Sequence, residues 1–235
     1  MICKIADLIV KIPTAGGLPS RCRAYRLETE QPADMEINES DYRLNKWPDT
    51  PYETVSYMES GWNFYVKLLS FFGFGLHASA LEYEGNAYLF SGPSTVGKST
   101  HTRLWQKAFG SGAQVFNDDK PALRLIDGKW YAYGTPWCGK DGINQNRKVP
   151  LTGICFLRQA HANKIRRLSA QEAIPMILSQ TTRKITAENM ERLLSLVEKI
   201  VQDVPIYLLE NKADEEAARL SYTTMSARDE KVKEP

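Results

Sequence analysis

Between residues 54 and 72, apolar side chains fall at Met58, Trp62, Tyr65, Leu69 and Phe72, in steps of four, three, four and three. That rhythm lines one face of a helix, and Gly73 supplies its stop. Alternating runs at 9–12 and 24–27, broken by Pro13, Gly16-Gly17 and Pro19, read instead as short strands joined by turns. Residues 76–82 and 87–90 predict two strands around Glu84-Gly85-Asn86, and the second runs into a glycine-flanked loop. A helix over 98–108 follows, then a short strand at 114–117 and a hairpin of 123–126 with 130–133 about Asp127-Gly128. The stretch 134–148 is polar and glycine-spaced, hence a loop, and 153–157 is strand-like. Ser169 and Glu172 form a capping box for a helix to about 183, whose first turns Pro175 bends. Met190, Leu193, Leu194, Val197, Ile200 and Val201 stripe one face of a helix over 187–203, Pro205 ends it, and 206–209 is a strand candidate.

This order predicts a mixed α/β domain over 1–222, with a central sheet carrying the glycine loop and helices packed around it. Residues 1–50 are too short for a core of their own and are expected to add strands to that domain. From about 223 the chain is charged, and 223–235 reads as a solvated tail.

Composition narrows the function. The chain has 235 residues, 43% apolar and 25% charged, which is enough for one sizeable core and excludes disorder as the default. Lys and Arg exceed Asp and Glu by a net +2, so no global field attracts nucleic acid or an anionic membrane, and any anion site must be local. The greasiest stretch, 68–81, is interrupted by Ser70, Gly73, Gly75, His77 and Ser79 and falls short of the roughly 18 apolar residues that span a bilayer. Lys4, Asp7 and Lys11 interrupt what would be the apolar part of an export signal. Cys3, Cys22, Cys138 and Cys155 show no metal or redox spacing. A soluble, reduced, cytoplasmic protein is expected, without membrane or nucleic-acid partners.

The loop itself carries the chemistry. Gly92-Pro93-Ser94-Thr95-Val96-Gly97-Lys98-Ser99 satisfies G-x-x-x-x-G-K-S/T and is followed by Thr100 at the opening of the predicted helix. Ordinary residue frequencies produce this match by accident in roughly one chain in a hundred of this size, and the strand-loop-helix context lowers that further. Backbone N–H groups must curl around phosphate oxygens, which requires glycine where a side chain would block approach, and the helix dipole assists. Lys98 supplies a mobile charge for the β and γ phosphates and Ser99 a hydroxyl for magnesium. Val115-Phe116-Asn117-Asp118-Asp119 is an apolar strand ending in two carboxylates. Alternation along a strand lets one carboxylate reach the metal and the other the acceptor hydroxyl, although Asp-Asp before Pro121 also suits a turn cap. Cys138 in the 134–148 loop is a weaker candidate nucleophile without a histidine near it in sequence. Lys164, Arg166 and Arg167 lack the aromatic interleaving of a nucleic-acid surface.

Together with Gly134-Thr135-Pro136-Trp137 and Leu76-His77-Ala78-Ser79-Ala80, these motifs resemble the bacterial HPr serine kinase/phosphorylases and ATP-dependent phosphoenolpyruvate carboxykinases over about 77–157. The resemblance implies their mixed-sheet phosphate-loop kinase fold, with ATP and magnesium as cofactors. It implies that His77, 15 residues before Gly92, sits beside the metal and the transferred phosphoryl group. It further implies Asp118 as general base and Asp119, with Ser99, as magnesium ligand. Aligned without gaps over 133–147, the carboxykinase arginine falls on Arg147, which would grip the γ phosphate. The departures are equally specific: no large oxaloacetate domain fits before residue 77, and the HPr kinases' Gly-Lys-Ser-Glu ending and Glu-Ile-Arg-Gly loop are replaced. Shorter kinase-like relatives with Gly-Lys-Ser-Thr-His and Gly-Thr-Pro-Trp are the nearest in pattern. The expectation is an ATP- and magnesium-dependent phosphotransferase acting on a hydroxyl of a small molecule or a protein serine, compatible with a homo-oligomer. A non-catalytic nucleotide sensor or accessory of a biosynthetic assembly is the alternative.

Overall fold

A computed structural model of the chain describes residues 1–14, 17–182 and 185–227. Its organising strand is β6 (Asn86–Ser91), which leads into the phosphate loop. β5 (Ala78–Tyr83) runs antiparallel to it with Ala78 opposite Ser91, and β7 (Gln114–Asp119) runs antiparallel to β5 with Ala78 opposite Asp119. On the other side β10 (Lys148–Gln159) and then β12 (Ile206–Asn211) lie parallel to β6, and β11 (Lys164–Arg167) pairs antiparallel with β12. Two reversals restore direction, so the C-terminal ends of β6, β7, β10 and β12 and the N-terminal end of β5 share one edge of the sheet. Ligands of open α/β sheets bind at such an edge.

β10 is longer than the 153–157 expected because it serves two sheets. Its first residues pair with β9 (Lys129–Tyr133), which forms the hairpin about Asp127-Gly128 with β8 (Ala122–Ile126), and β4 (Gly73–Gly75) follows on the outside. Alternation along β6 then assigns the two helical layers. Ala87 and Leu89 face α4 (Ala170–Ser179) and α5 (Ala187–Asp203), burying Ile177, Leu193, Val197 and Ile200. Tyr88 and Phe90 face Trp105 of α3 (Lys98–Phe109) and Met225 of α6 (Glu215–Ser226). The mixed α/β class read from the sequence is the observed one.

Most boundaries follow local signals. The Ser169–Glu172 capping box forms, and α5 occupies the striped 187–203. The 54–72 helix is α2 (Tyr52–Leu68), followed by a 3-10 turn over 69–71 and a left-handed Phe72. The helix expected to reach 183 stops at Ser179, and Arg183 lies outside the described residues. At 223–226 the expected tail is instead the end of α6, and 228–235 lie outside the described residues. The buried positions of α6 are Ala217, Ala218, Ser221 and Met225, three of them too small to announce an apolar face.

The N-terminal strands do not extend the main sheet. β1 (Ile2–Ile5), β2 (Leu8–Lys11) and β3 (Met35–Glu36) make a sheet of three, joined by the one-turn α1 (Leu18–Arg21). They share a core with Phe64, Tyr65 and Leu68 of α2, Tyr133 of β9, and Trp137. No helix among the described residues is long and apolar enough to cross a membrane.

One buried histidine ties the phosphate-loop helix to its neighbour. His101 on α3 is 1% exposed, with Nε2 against Ser221 Oγ of α6 and against Trp105 Nε1. Burial pushes it down to about 3. The folded value lies below the unfolded one of about 6.5, so stability is full above that pH and declines as pH falls from there toward 3. His101→Phe keeps a ring against Phe90 but cannot titrate. Thermal unfolding between pH 7 and 4 is expected to show a shallower acid slope in this variant than in the parent.

Candidate functional site

Gly92, Thr95 and Gly97 all have positive φ (140, 69 and 106°), and these bends wrap the loop 92–97 around the space ahead of α3. At Gly97, the N-cap of α3, no atom would meet an added Cβ, so the backbone angle and not crowding calls for glycine. Lys98 is buried and folds back, donating to the carbonyls of Gly92 (3.0 Å) and Pro93 (3.1 Å). Burial lowers its pKa, and the charges of Asp119 and Asp118 oppose that shift. Pro93, Ser94, Thr95 and Thr100 are exposed around the loop's mouth, with Val96 and Ser99 half-buried.

The strand register brings the acidic pair to the loop. Ser99 donates its hydroxyl to Asp118, at 2.9 Å from Oδ2 and 3.2 Å from Oδ1. The family resemblance instead implies Ser99 and Asp119 together on the metal. Asp119 ends β7 with φ 92°, a left-handed angle costly for a residue with a Cβ. This turn takes its carboxylate out of simple strand alternation and onto His77, whose Nε2 lies 3.0 Å from Oδ1, and onto Lys120 Nζ at 2.8 Å. Burial would raise Asp119, but the His77 and Lys120 contacts outweigh it and hold the carboxyl well below the usual carboxylate range. His77 is fixed in turn by Gln180, which takes its backbone N–H at 2.8 Å and faces Nδ1 through Oε1 at 2.9 Å.

The free edge of β7 is covered by the 134–147 loop. Gly139 donates to the Asp118 carbonyl, Asp118 N–H to Ile143, and Gln145 N–H to Phe116 at a bulge. Asn117 reaches the Thr135 carbonyl with its amide and accepts from Lys120 N–H. Cys138 belongs to this scaffold: its sulfur accepts from Arg21 and Asn144, it is 4% exposed, and its backbone meets Tyr57 Oη.

Arg147 is not brought to the phosphate loop. It sits at the base of its own loop, where its carbonyl accepts from Gly134 N–H, and its guanidinium pairs with Glu82. Glu82 pairs with Ala87 and Gln114, the far ends of β6 and β7, four residues along β5 from Ala78 and so about 13 Å from the site edge. A gap-free alignment kept Arg147 in register but could not show that the loop closes back on itself.

Two hollows flank the pair. One of about 580 Å³ runs from Thr95, Gly97 and Thr100 to Gln159, His161 and Lys212, at the ends of β10 and β12. The other, about 280 Å³, opens on His77, Asp119 and Lys120 and is walled by Tyr65, Gln180 and Thr182. No sequence motif marked Gln159, His161, Lys212, Lys120 or Gln180.

No family model matches the chain, and no curated protein matches it. Among solved structures, the Hpr(Ser) kinase/phosphatase from Coxiella burnetii is similar over 65% of this chain and 92% of its own, at 14% identity and a TM-score of 0.37. That is a loose likeness between distant chains.

Proposed function

We propose that this chain is an ATP- and magnesium-dependent phosphotransferase with an alcohol acceptor. The observation that carries this reading is the Ser99–Asp118 contact at the mouth of a glycine-bent loop, with Asp119 and His77 on the far side of the same edge. The donors fit magnesium bound with nucleotide. They are one hydroxyl and one carboxylate, both hard oxygens, and the described residues contain no cluster of three or more His, Cys, Asp or Glu able to cage an ion. Magnesium takes one or two protein ligands and completes its shell with phosphate oxygens and water. Ser99 and Asp118 would hold it, where it would neutralise charge on the β and γ phosphates.

The other roles follow. The loop amides and the α3 N-terminus receive the phosphates, and Lys98 exchanges its two carbonyl partners for the β and γ oxygens. The 580 Å³ hollow takes the nucleoside. Asp119, oriented by His77, meets the acceptor hydroxyl, which reverses the division of labour that the family resemblance implied. A carboxylate held this far below its usual range is a weak base, so it orients the hydroxyl and receives its proton late, as suits a loose transition state.

Consumption of ATP in the presence of magnesium, halted by chelation, is the expected result. Absence of both heat with ATP–magnesium in calorimetry and ATP consumption would end this reading. Binding without consumption under any acceptor would favour the sensor alternative.

A further inference from the structure

Beyond the 280 Å³ hollow at Asp119 lies a second cavity of about 250 Å³, and the two share Tyr65, Lys120 and Thr182. The inner cavity is walled by Trp47, Tyr57, Met58, Trp62 and Trp137. Gly61 makes part of this wall possible, because an added Cβ would stand 2.8 Å from Trp137 Cδ1.

The polar ends of four of these aromatic residues are committed elsewhere. Trp47 Nε1 donates to Glu59, Trp137 Nε1 donates to Ser60 Oγ, Tyr57 Oη meets the Cys138 backbone, and Tyr65 Oη meets the Lys120 carbonyl and Thr135. The charges are committed too. Glu59, 1% exposed, accepts a two-pronged pair from Arg43 at 2.8 Å on each side, and Lys120 pairs with Asp119. The Arg43 guanidinium also covers one ring of the wall, 3.5 Å from the Trp62 centroid. What remains for a ligand is mainly ring surface, with the Trp62 indole N–H and the Thr182 hydroxyl beside it and one carboxylate at the entrance.

Resting on the phosphotransferase reading, we infer that the acceptor is a small neutral alcohol carrying a flat apolar group, bound with its hydroxyl at Asp119 and its apolar body among the tryptophans. A protein serine would bring the several donors and acceptors of a polar backbone into a cavity that offers few partners for them. A quaternary ammonium alcohol suits aromatic walls in general, but here Arg43 already occupies Trp62 and Lys120 stands at the junction. In the transfer, the acceptor oxygen bonds to the γ phosphorus while the bond from that phosphorus to the β–γ bridging oxygen breaks. ADP departs with that electron pair and the hydroxyl proton passes to Asp119.

The test uses the whole chain with labelled ATP and magnesium, offering 2-phenylethanol, glycerol, choline and a serine-containing peptide separately. Labelled phosphate is expected on 2-phenylethanol, saturably and at least tenfold faster than on the others. Preference for glycerol, choline or the peptide, or equal rates on all four, would overturn the inference. Calorimetry with ATP–magnesium alone separates the two levels: heat without transfer to 2-phenylethanol removes this inference only, and absence of heat removes both. Trp62→Ala is expected to raise KM for 2-phenylethanol at least tenfold. Met58→Trp, which adds bulk from the half-buried side of α2, is expected to do the same, and an unchanged KM in both would also overturn it.

Discussion

Asp119→Asn is expected to slow phosphoryl transfer by about 10²-fold, the low end of what general-base groups supply because this carboxylate is a weak base, while leaving the affinity for ATP–magnesium within a few-fold. The amide keeps an oxygen for His77 but loses the charge that pairs with Lys120, and it cannot take a proton. Quenched-flow measurement of the first turnover, with calorimetry on the same preparation, separates the two effects. Because the folded pKa of Asp119 is depressed, the parent keeps this carboxylate ionised through the neutral and mildly acid range. Its stabilising pairs are fully present above the unfolded value of about 3.9 and are lost as pH falls below it. No acid limb of transfer near neutral pH is therefore assigned to Asp119.

Asp118→Asn is expected to act on the other half of the site, by raising the magnesium concentration required and weakening ATP–magnesium binding about 10- to 100-fold or more. Turnover at fixed magnesium falls with it. Ser99, which now rests on this carboxylate, loses a charged acceptor in the variant. Titrating magnesium at saturating ATP checks the claim. If Asp119→Asn shows the metal defect and Asp118→Asn shows normal metal dependence with slow chemistry, the roles are those implied by the family resemblance and the geometry has been misread. The two residues are adjacent at one strand end, so the contrast compares neighbouring carboxylates that face different partners.

The contrast also marks where strand alternation stops being a guide. Neighbouring residues on an ideal strand diverge to opposite faces, and that rule sends one carboxylate each way without saying which. Here the choice is made by the left-handed angle at Asp119 and by the Ala78–Asp119 register, which places His77 beside it. Both arise from pairing with β5, which lies more than thirty residues earlier in the chain. Arg147 makes the same point in reverse: its position in a motif says nothing about Glu82, which it meets only because β5 and β10 flank β6.

The wall of tryptophans was similarly scattered. Trp62 and Tyr65 belong to the expected apolar stripe of α2, of which Tyr65 and Leu69 are buried, Met58 and Trp62 half-buried and Phe72 65% exposed beyond the helix end, and Trp137 is one residue of a loop motif. Trp47 sits in a polar stretch between the 3-10 turn over 44–46 and α2, where no pattern marks it. Buried Glu59 ties the Trp47 segment to α2 while Ser60 holds Trp137; burial would raise the Glu59 pKa, yet the Arg43 and Trp47 hydrogen bonds hold it below its usual range.

Sequence alone determined those features whose causes lie within a few residues. The phosphate loop needs glycine angles and a following helix, α5 needs its stripe, α4 needs Ser169 and Glu172, and the β8–β9 turn needs Asp127-Gly128. Each is a local free-energy preference legible in a short window. Tertiary structure decided the rest: which strand ends share an edge, which carboxylate meets Ser99, where Arg147 goes, and which ring faces are left bare. Those outcomes depend on register and packing between segments far apart in the chain, where many pairings satisfy the same local pattern and only simultaneous burial selects one.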